Sequence, residues 1–179
     1  MAAPLLGTLV PRMSLEEVVD ASIAIVHGNV VRTWSAWDGD HRYIWTHYEV
    51  QVMDNLKGSA SGAIVVSEPG GAVGETELQV VGTPKYEVGE EVVLFAEETP
   101  LGLLRTCGWG QGKFKVTRAR ETGKLTVRTA AKGIQLVERP TRESKPAGTA
   151  LGGLDGQDLE QFKTRVRQIV KDRPPQPSR

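Results

Sequence analysis

Gly89-Glu90-Glu91-Val92-Val93-Leu94-Phe95-Ala96-Glu97-Glu98-Thr99-Pro100-Leu101-Gly102 is the stretch that decides the fold. Val92 to Ala96 is a short, unbroken apolar run rich in β-branched residues. Bounded by turn signals, such a run reads as a strand buried on both faces. Thr99-Pro100-Leu101-Gly102 supplies a turn, because proline fixes φ and glycine accepts positive φ. A return strand is expected from Leu103 to Cys107. After Gly108-Trp109-Gly110-Gln111-Gly112, a third is expected from Lys113 to Thr117. Together these predict a three-stranded meander.

Upstream, Ser14-Leu15-Glu16-Glu17 has the form of a capping box. The Ser14 hydroxyl can accept from the Glu17 amide while Glu17 reaches back, so a short helix should run from Leu15 to about Ala21. A long first strand is expected from Ser22 to Trp37. Gly28 lies inside it, where a glycine marks a bulge or bend. Asp38-Gly39-Asp40 is a hairpin turn. The strand that follows, from Arg42 to Met53, alternates. Ile44, Thr46, Tyr48, Val50 and Val52 form its core face, and Tyr43, Trp45, His47, Glu49 and Gln51 form the other. Ala63 to Ser67 reads as a third strand. Glu68-Pro69-Gly70-Gly71-Ala72-Val73-Gly74 reads as a glycine-rich connection. It lacks the Lys-Ser/Thr ending of a phosphate loop and opens no helix. A short strand is expected from Glu77 to Val81.

Downstream, Leu125 to Arg128 reads as a hairpin arm and Ile134 to Val137 as an edge strand. Pro140, Ser144, Pro146, Gly148, Gly152 and Gly153 mark a linker. Asp155 to Lys171 then carries Leu159, Phe162, Val166, Ile169 and Val170 at helical spacing. That single apolar stripe predicts a helix packed back on the same domain. The other reading is a partner-binding arm on a tether. The domain boundaries that result are an N-terminal segment over 1–13, a β-domain over 14–138, a linker over 139–154, a helix over 155–173 and a tail over 174–179.

The chain has 179 residues, 39% hydrophobic and 25% charged, with a formal net charge of zero. No global field therefore draws it to nucleic acid or an anionic membrane. From Arg139 onward nine Lys/Arg stand against five Asp/Glu, so that part carries +4 and the rest −4. No stretch approaches the roughly 18 apolar residues of a membrane span. Met1 to Gly7 has the Ala/Leu character of the trailing end of a signal segment, so an extracytoplasmic location (periplasm, cell envelope or secreted) is expected. Cys107 is the only cysteine. It excludes an internal disulfide, and no Cys/His spacing suits zinc; a buried strand thiol is expected.

The order of elements carries a resemblance. The residues are Ser22 to Val31, the strand end from Val50 to Gly58, and Tyr86-Glu87-Val88-Gly89-Glu90-Glu91-Val92-Val93-Leu94-Phe95. From Leu15 to Val116 the chain resembles the OB-like barrel of netrin-type and metalloproteinase-inhibitor domains. It is closer still to uncharacterised bacterial exported proteins of similar pattern. The resemblance implies an all-β, OB-like barrel, closed or partly open, with a short N-terminal helix and a C-terminal amphipathic helix. The inhibitor chemistry is not carried over, because this chain has neither the N-terminal metal-chelating cysteine nor the disulfides of the animal inhibitors.

The chemistry-bearing residues are sparse. Glu90-Glu91 and Glu97-Glu98 are adjacent in strands and point to opposite faces, which suits joint acid–base work poorly. No Gly-x-Ser-x-Gly elbow occurs. Asp38-Gly39-Asp40-His41 lacks the further acidic ligands of a calcium loop. No catalytic set, cofactor or metal is read from the chain. Trp34, Trp37, Tyr43, Trp45 and His47 flank the first hairpin turn, and aromatic clusters rimmed by polar groups mark recognition surfaces. The expected function is a non-catalytic binding or assembly module with a protein partner. The alternatives are an inhibitor or regulator of an exocellular hydrolase and, behind it, a carbohydrate or nucleic-acid binder; nucleic acid is disfavoured by the acidic body.

Overall fold

The computed structural model describes residues 9–130, 135–137 and 148–173. The apolar start over 1–8, Ile134, residues 139–147 of the expected linker and the tail from Pro174 lie outside the described residues. Strand β1 (Leu9–Pro11) precedes helix α1 (Leu15–Ala21). Then come β2 (Ala24–Trp37), β3 (Ile44–Lys57), β4 (Ala63–Pro69), β5 (Gly71–Val73), β6 (Thr76–Leu78), β7 (Glu91–Glu98), β8 (Leu104–Thr106), β9 (Lys113–Arg118), β10 (Leu125–Thr129) and β11 (Gln135–Val137). A 3-10 turn at Leu151–Leu154 and helix α2 (Leu159–Asp172) follow. The fold is mostly β, built on a seven-stranded antiparallel sheet of order β10-β9-β7-β2-β3-β4 with β8 beside β7. β5 and β6 form a small hairpin, and β1 pairs in parallel with β11. No described helix is long and apolar enough to cross a membrane.

Local chemistry sets the boundaries. The capping box forms: Ser14 N–H donates to Glu17 Oε2 at 2.8 Å, and the Glu17 amide donates to Ser14 Oγ at 3.2 Å. Leu15, Val18 and Val19, spaced by three and four, bury one face of α1. Gly28 breaks the β2–β3 register as expected. A Cβ there would stand 2.2 Å from the Gln51 carbonyl oxygen, so only glycine lets the two strands approach.

The Val92–Ala96 run is buried on both faces, and its alternation divides the core in two. Val93 and Phe95 join Ile25, Phe114, Val116 and Val127 under the helices. Val92, Leu94 and Ala96 point the other way, to Val26, Val30, Tyr48, Val50, Val66 and Tyr86. The second cluster, on the inner face of the sheet, also has a buried ion pair beside its Tyr86. Lys113 Nζ donates to Glu90 Oε2 at 2.8 Å and to the Lys85 carbonyl at 2.6 Å, and it lies 4.2 Å from the Tyr86 ring centre. Lys115 adds a second, looser contact to Glu90 at 3.6 Å.

The expected meander does not form as such. β9 pairs with β7 and not with β8, so β8 and β9 lie end to end along one edge of β7. The six residues between Thr106 and Lys113 leave the sheet as a loop. Cys107 N–H donates to the Phe95 carbonyl, the Phe95 N–H to the Gly112 carbonyl and the Gly112 N–H to the Cys107 carbonyl, each at 2.9 Å. Gly108, Trp109 and Gly110 take positive φ, and a Cβ on Gly112 would lie 2.8 Å from the Phe95 oxygen. The glycines serve one interrupted strand. Cys107 is fully buried, and burial pushes its thiol up to about 12.

Residues 148–154, within the expected linker, pack against α1 and β10. Leu151 and Leu154 are buried, and Thr149 donates to the Glu16 carboxylate through its amide and its hydroxyl. α2 starts at Leu159, later than expected, because the Asp158 side chain caps it through the amides of Glu160 and Gln161. Leu159, Phe162 and Val166 enter the core, with the Phe162 ring 4.8 Å from Phe114 and 6.3 Å from Phe95. Asp54 of β3 holds Lys163 at 2.6 Å and takes both its oxygens to Arg167 at 2.6 and 2.7 Å. The stripe therefore packs on its own domain. The loop before α2 also occupies the outer edge of β10, through Val127 N–H to the Gln157 carbonyl at 2.9 Å and Gly156 N–H to the Val127 carbonyl at 2.8 Å.

Candidate functional site

The register of the β2–β3 hairpin places four of the five aromatic candidates. Trp34 lies opposite His47, Ala36 opposite Trp45, Ser35 opposite Thr46 and Trp37 opposite Ile44. Directly opposed residues share a face. Trp34, Trp45 and His47 therefore share the outer face, and Trp37 belongs to the inner one. Trp34 stacks on His47 with centroids 5.1 Å apart, and the Arg32 guanidinium sits 4.6 Å from the Trp34 ring centre. His47 Nδ1 bonds Ser67 Oγ at 2.7 Å, and burial lowers the imidazole below its ordinary pKa, which favours the neutral ring at pH 7. Trp45 Nε1 is buried with no acceptor among the described residues.

Tyr43 stands 57% exposed beside the turn. Trp37 stacks on His41, whose φ of 55° places it in the left-handed region. The Asp38 carboxylate is used up locally, accepting from the amides of Arg42 at 2.7 Å and Tyr43 at 3.2 Å, and Asp40 pairs with Arg42 at 2.6 Å. These acids hold the turn together. Neither helix reaches the aromatic surface, because α2 is anchored at Asp54, roughly 30 Å farther along β3 than Trp45 at ~3.3 Å per residue.

A second constellation lies on the inner face, the side of Tyr48 and Val66, and the sequence places its central residue, Glu68, in a glycine-rich connection. Glu68 is the penultimate residue of β4, opposite Thr46 and on the same face as Val66. It is 3% exposed. Its Oε1 accepts from the Thr106 amide at 2.7 Å and the Thr106 hydroxyl at 2.5 Å. No ladder joins β4 to β8, so this carboxylate spans the gap between the two strand edges. Thr106 Oγ1 also meets Tyr86 Oη at 2.5 Å, and the Tyr86 ring lies 4.8 Å from Tyr48.

Burial raises the Glu68 carboxyl from 4.5 to about 7, and the Thr106 hydrogen bonds only partly offset it. The Arg105 charge acts on Glu68, but Arg105 is paired with Glu97 at 2.8 Å. Beyond Glu68, residues 70–85 fold over the inner face. They leave a cavity of about 340 Å³ lined by Thr46, Tyr48 and Glu68 on the sheet side and Leu78, Val80 and Pro84 on the other. The alternation Ile64, Val66, Glu68 was the available signal: it puts an acid where a core residue belongs.

The raised pKa makes a stability prediction. Above pH 7 both folded and unfolded states carry an ionised Glu68, and the fold bears the burial cost. Between about 4.5 and 7 only the folded state binds the proton, so this contribution favours folding more as pH falls. Its slope is at most about 1.4 kcal/mol per pH unit. Urea melts of wild type and Glu68→Gln from pH 4.5 to 8 should diverge accordingly, with the variant lacking that slope. Parallel curves would show that Glu68 titrates normally.

Among the described residues no group of three or more His, Cys, Asp and Glu side chains is placed to hold a metal ion. No protein family, no curated protein and no solved structure matches this chain.

Proposed function

We propose that the chain is a non-catalytic binding module that acts outside the cytoplasm and engages a protein partner through the outer face of β2, β3 and β4. One observation carries this reading: Trp34, Trp45 and His47 form a half-buried aromatic surface beside Arg32, at the end of the sheet that neither helix covers. Rigid aromatics and arginine supply most of the energy at protein interfaces. The rival surface is spent, because the apolar stripe of α2 lies in the core. We also infer an OB-like arrangement, supported by the long bent β2, the capped helix at one end and the approach of β4 to β8 at Glu68.

The test takes a partner recovered from an extracytoplasmic fraction and then purified. Trp34→Ala should raise its Kd by at least about 30-fold, the equivalent of the ~2 kcal/mol of an interface hot spot, and leave the melting temperature nearly unchanged. An unchanged Kd, or a loss of stability as large as the loss of affinity, would remove the surface from the proposal.

A further inference from the structure

The inner cavity is independent of the aromatic face, and its chemistry is different. At 340 Å³ it falls at the lower end of the roughly 300–1,000 Å³ of ligand pockets, which combine apolar walls with a few convergent polar groups. Leu78, Val80 and Pro84 supply apolar wall. Glu68 supplies a carboxylate with one oxygen already held by Thr106, while its Oε2 accepts no hydrogen bond from the described residues. A buried carboxylate is ordinarily paired. Arg105 is committed to Glu97 and stacks 5.3 Å from the Trp109 ring centre. Glu77 and Lys85 also line the cavity and oppose each other in charge. No lysine or arginine among the described residues forms an ion pair with Glu68.

We propose that this cavity binds a small organic cation, an alkylammonium or alkylguanidinium, whose charged head meets Glu68 Oε2 and whose carbon chain lies against Leu78, Val80 and Pro84. The β5–β6 hairpin forms the far wall, so the ligand lies between the hairpin and the sheet. The Glu68–Thr106 bridge can persist with ligand bound, because the two interactions use different oxygens. Selectivity against anions follows from the carboxylate, and selectivity against bare metal ions from the lack of a second buried acid among the residues lining the cavity.

The full chain is titrated at pH 8 with n-butylamine, butylguanidine, butanol and butyrate while the methyl resonances of Leu78 and Val80 are followed by NMR. The two cations are expected to give saturable shifts, and butanol and butyrate none. Affinity for the cations should fall as the pH is lowered below 7, up to tenfold per unit. The groups that face Glu68 there are Arg105 and Glu97 across the seam, Tyr48 and Tyr86, and Glu77 and Lys85 at the cavity wall. Glu68→Gln should weaken cation binding at least tenfold. Leu78→Trp, which fills the cavity and leaves the Thr106 bridge intact, should do the same, so the test survives if one variant fails to fold. A short blocked peptide with one lysine separates the sources of the cation: binding weaker than n-butylamine is expected, and tighter binding would overturn the small-molecule assignment. Saturation by butyrate or butanol, no saturation by either cation, or wild-type affinity in a folded variant would overturn the site itself.

Discussion

Lys113→Met will destabilise the fold by about 3–5 kcal/mol, the usual cost of breaking a buried ion pair from one side. Lys113 and Glu90 are 5% and 9% exposed. The ammonium satisfies a carboxylate, a backbone carbonyl and the face of Tyr86 together. Methionine matches the length of the stem and keeps most of its packing, so the loss reports on charge. Glu90 would be left with Lys115 at 3.6 Å and the Glu87 amide at 3.2 Å, too little to replace it. The double variant Lys113→Met, Glu90→Gln should regain a large part of the loss, because no buried charge is then stranded. Chemical denaturation of the four proteins of this cycle gives the coupling directly. A loss below about 1 kcal/mol for Lys113→Met would mean that water reaches the pair and that it behaves as a surface bridge.

Phe162→Ala should cost a similar ~3–5 kcal/mol, as truncation of a buried aromatic does. Its ring closes a cluster of three phenylalanines that joins α2 to β7 and β9. The polar clasp at Asp54 is partly exposed and cannot compensate, since such pairs are worth about 1 kcal/mol or less. The same variant answers a question about the tryptophans. If α2 covered them, loosening it would open Trp34 and Trp45 to quenchers. Their distance from the helix predicts that quenching of a folded Phe162→Ala protein stays as in wild type while its midpoint falls. A rise in quenching at both sites would place the helix over the aromatic face.

Much of the architecture was legible because period and punctuation agree. The capping box, the Gly28 break, the inward set Ile44, Tyr48 and Val50 and the doubly buried Val92–Ala96 run each rest on local backbone and side-chain chemistry, and each is where the sequence puts it. The pairing of β9 was not legible. A glycine-rich insert reads as a hairpin turn, and nothing local shows that the chain returns to the same strand edge and not to its neighbour. Among the five aromatic candidates, parity alone puts Trp45 and His47 together, but which side Trp34 and Trp37 take depends on the register across the turn. Glu68 was missed for a different reason. Its neighbours Pro69, Gly70 and Gly71 are strong loop signals, and they outweighed a two-residue alternation that runs one step past the apolar run. The partner of Glu68 comes from 38 residues away, which no spacing in the sequence encodes.

The loop that runs along β10 bears on how the protein behaves at high concentration. A sheet that is not closed by its own ladder has two open margins, and an open margin is a template on which a second chain can add a strand. Here one margin is occupied by residues 156–158, which take the outward amide and carbonyl of Val127 and bridge Thr126 to Asp158. At the other, Pro69 removes a donor and the Glu68 carboxylate claims the Thr106 amide across the gap. Edge-to-edge addition at the β10 margin must therefore first strip the residues ahead of α2 from it. Resistance to self-association should fail when that short loop is loosened, well before the core itself melts.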